Sequence, residues 1–306
     1  MEELSKAIGF SIVVPSYNRP RQLVALLASL AKLDYPRDGF EVIVVDDGSK
    51  LPLDAVTAGF KEQLEITLVR QKNAGAAAAR ATGGLHARRE FLVFTDDDCL
   101  AATDWLSVLA KQFALTPDRL LGGRIINRFT ENLFACASHL ILDIVYRHFN
   151  ADPENATLFG SANISMSTRL YREVGGFNPH FRFSEDRELC DRWLFNGYRM
   201  MYVPAAVVYH GQRMNMRQFC KQHINYGRGA YHYHQIRAER GSGTLQGETK
   251  FHRNWRNLLL FPFTQVPFYK AVPLAGALVL WQFMNAFGFF REAFRQKLGL
   301  SRGFRP

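Results

Sequence analysis

The sequence predicts an α/β protein: a mostly parallel sheet flanked by helices, followed by a C-terminal helical region suited to a membrane surface. Three observations predict it. Short β-branched runs alternate with helix-patterned stretches through the first hundred residues. Two of those runs end in clusters of carboxylates. The last third of the chain holds all of the excess positive charge, arranged around a long uncharged apolar stretch.

The first strand is Ser11-Ile12-Val13-Val14-Pro15, β-branched and closed by proline. From Arg21 to Leu33, Leu23, Leu26, Leu27 and Leu30 fall at helical spacing, so an amphipathic helix follows. Glu41 to Val45 forms a second strand that halts at Asp46-Asp47-Gly48-Ser49. Ile66 to Arg70 is the third, and an alanine-rich helix runs from about Gly75 to Arg88. The fourth, Phe91 to Phe94, leads into Asp96, Asp97 and Asp98. Strand–helix alternation at this pitch places helices on both faces of a parallel sheet, which is why the runs are almost wholly apolar. Beyond Gly122-Gly123 the pattern loosens. Helical stretches are expected at Asn132 to Phe149 and Arg187 to Asn196, and two short strands at Arg199 to Pro204 and Ala206 to Tyr209. The α/β unit is expected to span 1–215 and a basic, apolar helical tail 216–306, with Gly241-Ser242-Gly243-Thr244 as a link.

Charge separates the two parts. Residues 1–130 carry 16 basic and 16 acidic side chains, residues 131–212 carry 7 and 9, and residues 213–306 carry 15 and 3. Such asymmetry calls for an anionic partner of the tail. Ala271 to Phe290 holds no charge, follows Lys270 and precedes Arg291, Arg295, Lys297, Arg302 and Arg305. Its length suits a bilayer span, but Pro273, Gly276, Gln282, Asn285 and Gly288 make it a poor one. Apolar and aromatic helices with basic flanks fit attachment at the inner face of the cell membrane, and a buried soluble helix is the plainer alternative. Nucleic acid is disfavoured, because the charge surrounds an apolar helix instead of a sheet face with stacking aromatics. Met1-Glu2-Glu3 does not open a secretory leader, and Cys99, Cys136, Cys190 and Cys220 have no paired spacing; both point to the cytoplasm.

Three strand-end loops carry matched polar groups. Pro15, Tyr17 and Arg19 supply a rigid turn, a ring for stacking and a cation; Asp46 and Asp47 can accept from ribose hydroxyls or a base N–H. The aspartate triplet offers hard oxygen ligands that suit Mg²⁺ or Mn²⁺ bridging to phosphates. Each loop alone is ordinary turn chemistry; three at consecutive strand ends point to a nucleotide plus metal. Dinucleotide and P-loop fingerprints are absent.

The segments SIVVPSYNRP, EVIVVDDGS, QKNAGAAAARATGG and FTDDDCL, in this order, resemble the family 2 glycosyltransferases of the GT-A (Rossmann-like) fold. The resemblance continues through GSANISMS (Gly160–Ser167), EVGGFNPHF (Glu173–Phe181) and SEDRELCDRWLFNGY (Ser184–Tyr198), and covers roughly residues 10–215. The tail resembles membrane-associated members of the family. The resemblance implies that Pro15, Tyr17 and Arg19 border the nucleotide and that Asp46 and Asp47 hold base and ribose. Asn73 and Arg80 would line the sugar-nucleotide pocket. Asp96 and Asp98 fit the first and last positions of the family's DxD motif, with Asp97 extra and Asp98 the direct metal ligand. His210 stands where the fold places a histidine near metal or diphosphate, and Arg213 within reach of the same phosphates. Asp186, beside Glu185, is implied as the general base that takes the acceptor hydroxyl's proton. Asn163 would shape the acceptor side, and Arg192 would pair with a local acid. Tyr231-His232-Tyr233-His234 reads as aromatic packing or membrane-edge contact, since i, i+2 spacing diverges on a helix and does not suit a metal.

The implied activity is inverting transfer of a sugar from a nucleoside diphosphate, UDP foremost, to a hydroxyl of a glycan or lipid-linked glycan. The cofactor expected is Mg²⁺ or Mn²⁺. A sugar nucleotidyltransferase shares the architecture but opens with a glycine-rich loop where Pro15–Arg19 stands. An inactive glycan- or nucleotide-binding protein at the membrane is the non-enzymatic alternative.

Overall fold

The computed structural model of the chain describes residues 8–243, residue 245 and residues 255–300, with side chains in the last stretch from residue 258 onward. The expectations placed on Met1 to Glu3, Thr244, Arg302 and Arg305 lie outside the described residues.

The first half alternates as the patterning requires. Its strands are β1 (Phe10–Ser16), β2 (Phe40–Asp46), β3 (Ile66–Arg70) and β4 (Phe91–Phe94). Between them lie α1 (Pro20–Leu30), α2 (Asp54–Ala58) and α3 (Ala76–His86). These four strands are parallel, and their register puts Ser16 beside Asp46 and Asp46 beside Arg70, so their carboxyl ends form one rim. Then follow β5 (Cys99–Ala101), α4 (Trp105–Leu115), β6 (Leu120–Asn127), α5 (Leu133–Phe149), β7 (Ile164–Ser167), α6 (Thr168–Glu173), α7 (Glu185–Phe195) and β8 (Met200–His210). The sheet order is β3-β2-β1-β4-β7-β6-β8-β5, with β7 antiparallel to both neighbours and β5 antiparallel to β8.

The two short strands expected around Pro204 are one strand. β8 runs parallel to β6 throughout, but the register jumps from Gly123 opposite Val203 to Arg124 opposite Val207. Pro204, which has no N–H to give a ladder, sits in that bulge.

Burial explains the layers. Along β1, Ile12 and Val14 pack with Leu23, Leu26 and Leu27 of α1 and with Trp105 of α4, while Val13 faces Ala79 of α3 on the other side. Period-two alternation thus serves two apolar faces. A third cluster joins α5 to the C-terminal helices: Ile141 and Ile144 meet Phe219 of α8 (Met216–Arg240), Leu258 of α9 (Trp255–Gln265), and Leu278 and Trp281 of α10 (Phe268–Lys297). α8 starts on a capping box, with Asn215 accepting from the Gln218 N–H and Gln218 answering the Asn215 N–H. α8 and α10 cross through glycines. A Cβ on Gly227 would lie 2.0 Å from the Asn285 carbonyl oxygen, and one on Gly288 would lie 2.1 Å from that of Ile224.

Among the described residues α10 is the one helix long and apolar enough to cross a membrane. Its outward face carries Phe283, Phe287, Phe290 and Phe294, all more than half exposed.

Candidate active site

The rim of the parallel strands is stitched together by its own polar side chains. Asn18, at φ 56°, accepts from the Lys50 N–H through its side chain and donates its backbone N–H to Ser49 Oγ, tying the loop after β1 to the loop after β2. Asp47 is saturated: one carboxylate oxygen accepts from Gln71 and the Ala74 N–H, the other from Asn73 and the Gly75 N–H. It therefore shapes the 71–75 loop and borders the cleft with a fixed orientation. Asp46 lies beneath, fully buried, accepting from the Ser49 N–H at 2.8 Å with Arg70 at 3.7 Å. Neither Asp46 nor Asn73 is among the residues that line the cavity, whereas Pro15, Tyr17, Arg19 and Asp47 are.

The three aspartates face three directions. Asp96 meets Arg80 at 2.5 Å. Asp97 accepts from Ser16 at 2.7 Å and from Arg19 at 3.2 Å, and burial pushes its carboxyl up to about 6. Asp98 receives Arg19 at 2.7 Å on Oδ2, while Oδ1 stands 3.3 Å from His210 Nε2 at the end of β8. Burial raises the Asp98 carboxyl, but His210 and Arg19 outweigh it and hold it low; His210 is raised in turn, as Asp98 overcomes the cost of its burial.

The opposite wall begins at α7. Ser184 stands in left-handed backbone at φ 65°, directly before Glu185 and Asp186. Such strain persists only where the surroundings enforce it. Here α8 presses on it: a Cβ on Gly229 would come within 2.6 Å of both the Phe183 carbonyl oxygen and Ser184 Oγ. Glu185 meets Arg80 at 2.7 Å, and burial pushes its carboxyl up to about 7. Asp186 is likewise raised by burial, and its Oδ1 accepts from the Arg187 N–H at 2.8 Å. Arg80 is fully buried between Asp96 and Glu185, so one guanidinium joins the two walls.

Both walls line one cavity of about 1210 Å³ that takes in Arg19, Arg80, Asp96, Asp97, Asp98, Glu185, Asp186 and His210. Sequence reasoning did not anticipate how much of it comes from α5, α8 and α10. Tyr146 of α5 accepts the Gly160 N–H at 2.9 Å beside Asp186, and Tyr226 and His223 of α8 with Trp281 and Asn285 of α10 complete the cavity. The one available signal was the low charge of α5 and the polar–aromatic mixture of α8, which no single periodicity explains.

Among the described residues no three His, Cys, Asp or Glu side chains converge as a closed metal site. The arrangement does fit a cation that takes most of its ligands from a nucleotide. Asp98 Oδ1 is buried without a hydrogen bond and faces the His210 imidazole. A carboxylate and an imidazole leave positions for phosphate oxygens, the usual way Mg²⁺ or Mn²⁺ is held at such sites. Asp96 is engaged by Arg80 instead. The cavity lining sets six carboxylates against the cations Arg19, Arg80, Arg182, Arg187 and Lys221, and a divalent cation entering with a diphosphate would offset the clustered charge of Asp96, Asp97 and Asp98.

Other side chains are placed as follows. Asn163 is buried away from the cavity, taking a hydrogen bond from Trp105 and giving two to the Arg124 and Ala206 carbonyls, so it locks β6, β8 and α4. Arg192 pairs with Glu188 at 2.7 Å. Arg213 pairs with Glu131 at 2.6 Å over the Phe129 ring, outside the cavity lining. Of the His-Tyr cluster, Tyr233 is sandwiched by Arg187 and Arg237, His232 contacts Glu292 and His234 packs on Phe289.

Comparisons with known proteins identify the family and the fold. A family model described as Glycosyl transferase family 2 matches residues 11–223. The pre-mycofactocin glycosyltransferase of Mycobacterium tuberculosis is 32% identical over 225 residues, 72% of this chain and 46% of that protein. A chondroitin synthase of Pasteurella multocida is 31% identical over 199 residues, 62% of this chain and 19% of that protein. The chain thus spans less than half the length of either relative. Among solved structures, the mannosyltransferase PcManGT from Pyrobaculum calidifontis, in complex with GDP-Man and Mn²⁺, superposes with a TM-score of 0.67 at 20% identity, covering 95% of this chain and 88% of that one. S. aureus TarS 1-349 in complex with UDP-GlcNAc gives 0.56 at 18% identity, covering 97% and 94%. The shared architecture is the GT-A fold.

Proposed function

The chain belongs to glycosyl transferase family 2, and from that premise we propose that it is an inverting, metal-dependent glycosyltransferase. It moves a sugar from a nucleoside diphosphate, UDP in our reading, to an acceptor hydroxyl on a glycan or lipid-linked glycan. The observation that carries this reading is the single cavity in which Asp186 stands across from Arg19, Asp98 and His210, with Arg80 between.

In this reading Pro15, Tyr17, Arg19 and Asp47 border the nucleotide. Asp46 and Asn73 support them from behind by shaping the loops. Asp98 and His210 would hold Mg²⁺ or Mn²⁺, which would supply stabilisation of the negative charge on the departing diphosphate. Asp186 takes the proton from the attacking hydroxyl on the opposite side. The base must be unprotonated yet basic enough to accept, and enclosure raises its affinity for that proton. One displacement inverts the anomeric centre. Arg80 keeps Asp96 and Glu185 paired and the two walls in register.

Residues 1–215 then carry the donor site and residues 216–306 complete the acceptor side. The exposed phenylalanines of α10, with Lys270, Arg291, Arg295 and Lys297 at its ends, attach the protein to the anionic inner face of the cell membrane.

A panel of UDP- and GDP-sugars with Mn²⁺, read by thermal stabilisation, tests the reading. One nucleotide sugar should raise the melting temperature in the wild type and fail to do so in Asp98→Ala. No stabilisation by any member would refute the donor assignment.

A further inference from the structure

Two cavities meet along α10. The active-site cavity is one. The other, about 450 Å³, lies between α9 and α10 and is lined by Leu258, Leu259, Leu278, Val279 and Phe283. Gln282 and Ala286 are walls of both. Inside the larger cavity the apolar lining continues, with Ile141, Leu142, Val145 and Phe149 of α5 facing Trp281 and Phe289 of α10. A base, a ribose, phosphates and a hexose make little use of such a surface, since burying polar groups against it costs free energy.

Polar groups share this part of the cavity, among them Gln218, Lys221 and Asn225 of α8 and Gln282 and Asn285 of α10. His223 is 1% exposed, and neither ring nitrogen has a hydrogen-bond partner. Its ring packs on Phe219 at 4.3 Å and approaches Trp281 at 6.4 Å, and burial pushes it down to about 4, so it is neutral. One turn further along α8, Tyr226 lines the cavity, close enough to Asp186 and Glu185 for their charges to add to the effect of burial in raising its hydroxyl. Beyond Gln282 and Ala286 the lining turns to hydrocarbon, with Leu258, Leu259, Leu278, Val279 and Phe283 around the smaller cavity. At the far end the wall turns outward into exposed Phe283, Phe287 and Phe290, next to Arg291.

We propose that the α9–α10 groove and the adjoining part of the cavity between α5, α8 and α10 form one acceptor channel, which takes a hydroxyl-bearing amphiphile with its hydroxyl at Asp186 and its apolar chain leading out past Ala286. This deepens the glycosyltransferase reading and rests on it. The occupant is an amphiphile because the channel joins a polar reacting end to an apolar exit, and that exit lies on the face whose aromatic and basic residues suit a lipid surface. A glycan without an apolar part would leave the groove unfilled. The head is either a bare lipid hydroxyl or a sugar carried on a lipid, and both share this chemistry.

The test uses the full chain and the emission of Trp281, isolated by difference from Trp281→Phe. Two series are titrated below their micelle or solubility limits: n-alcohols, and n-alkyl β-glucosides, each from butyl to decyl. The channel predicts that affinity rises at least tenfold from butyl to decyl in one series or both. A rise in both assigns a bare hydroxyl head; a rise in the glucosides alone assigns a sugar head. Ala286→Trp, which fills the junction, should remove at least tenfold of the decyl affinity. Affinity independent of chain length in both series overturns the channel on the wild-type protein alone, as does a rise that Ala286→Trp leaves intact. Stabilisation by nucleotide sugar and Mn²⁺ is measured on the same samples. If it persists while the chain-length effect is absent, the channel fails and the transferase reading stands; if it is absent, the reading beneath fails.

Discussion

Arg80 Nη1 lies 2.7 Å from Glu185 Oε1, a contact that spans 105 positions of sequence and closes the active-site cavity from within. The other arm of the same guanidinium holds Asp96, so a buried cation is shared between a strand end and a helix start. Removing it leaves the largely buried Glu185 and the partly exposed Asp96 without compensation. Arg80→Met should cost about 3–5 kcal/mol of stability, and Glu185→Gln in the same background should restore part of that loss. Chemical denaturation of the two variants measures both. If the single variant is as stable as wild type, the bridge does not hold the walls together.

The acid limb of the rate should reflect the enclosed acids of α7. Burial raises Asp186, and it raises Glu185 to about 7. The base works only when ionised, so activity falls as pH drops through its raised value. The limb in kcat/KM is therefore expected above the ordinary aspartate range of about 4. A limb at or below that range would show that the base is an exposed carboxylate.

Stability at low pH has a different origin. Burial would raise Glu41, yet hydrogen bonds from Arg88 and Ser11 outweigh it and hold the carboxyl below its ordinary value. Glu188 is held low in the same way by Arg192 and Arg240. A depressed carboxylate contributes stability that is present above its unfolded value and disappears as pH falls through the folded one. The melting temperature should accordingly fall below about pH 4.5, and less steeply in Glu41→Gln. Parallel curves for variant and wild type would contradict this.

The crossing of α8 and α10 tolerates no side chain. Gly288→Val would drive a Cβ to 2.1 Å from the Ile224 carbonyl oxygen, a rigid neighbour. The expected loss is about 1–3 kcal/mol, with weaker donor turnover because α8 also sets the backbone of Ser184. Differential scanning calorimetry and an activity assay on one preparation check both effects. Unchanged stability would mean that the helices sit further apart.

Chelation should separate donor binding from folding. With Asp98 Oδ1 facing His210 and Asp96 and Asp97 beside it, EDTA should abolish nucleotide-sugar binding while the melting temperature of the free protein changes by less than about 2 °C, since no group of three His, Cys, Asp or Glu among the described residues forms a structural metal site. Calorimetric titration of the donor with and without EDTA decides it.

The fold was legible where local pattern and tertiary role coincide. Val42 to Val45 and Phe91 to Phe94 read as strands because both faces of the sheet are covered, and the carboxylates after them read as a rim because parallel strands end together. What each carboxylate faces was not legible. Asp96, Asp97 and Asp98 are adjacent in sequence, yet their partners Arg80, Ser16 and His210 come from three other elements. Asp47 reads as an open acceptor until the loop 71–75 is seen to fill it. β8 was divided at Pro204 because a proline normally ends a strand, and only the pairing with β6 exposes the bulge. The largest omission was the wall built by α8 and α10, since helices that are polar and aromatic on several faces give no periodic sign of lining a cavity.

The proton transfer assigned to Asp186 is tested most directly by Asp186→Asn, assayed for donor binding and for single-turnover transfer with the nucleotide sugar that stabilises the wild type. The account predicts donor affinity within about twofold of wild type and transfer slower by about 10²–10⁴. Transfer at the wild-type rate with donor affinity intact would contradict it.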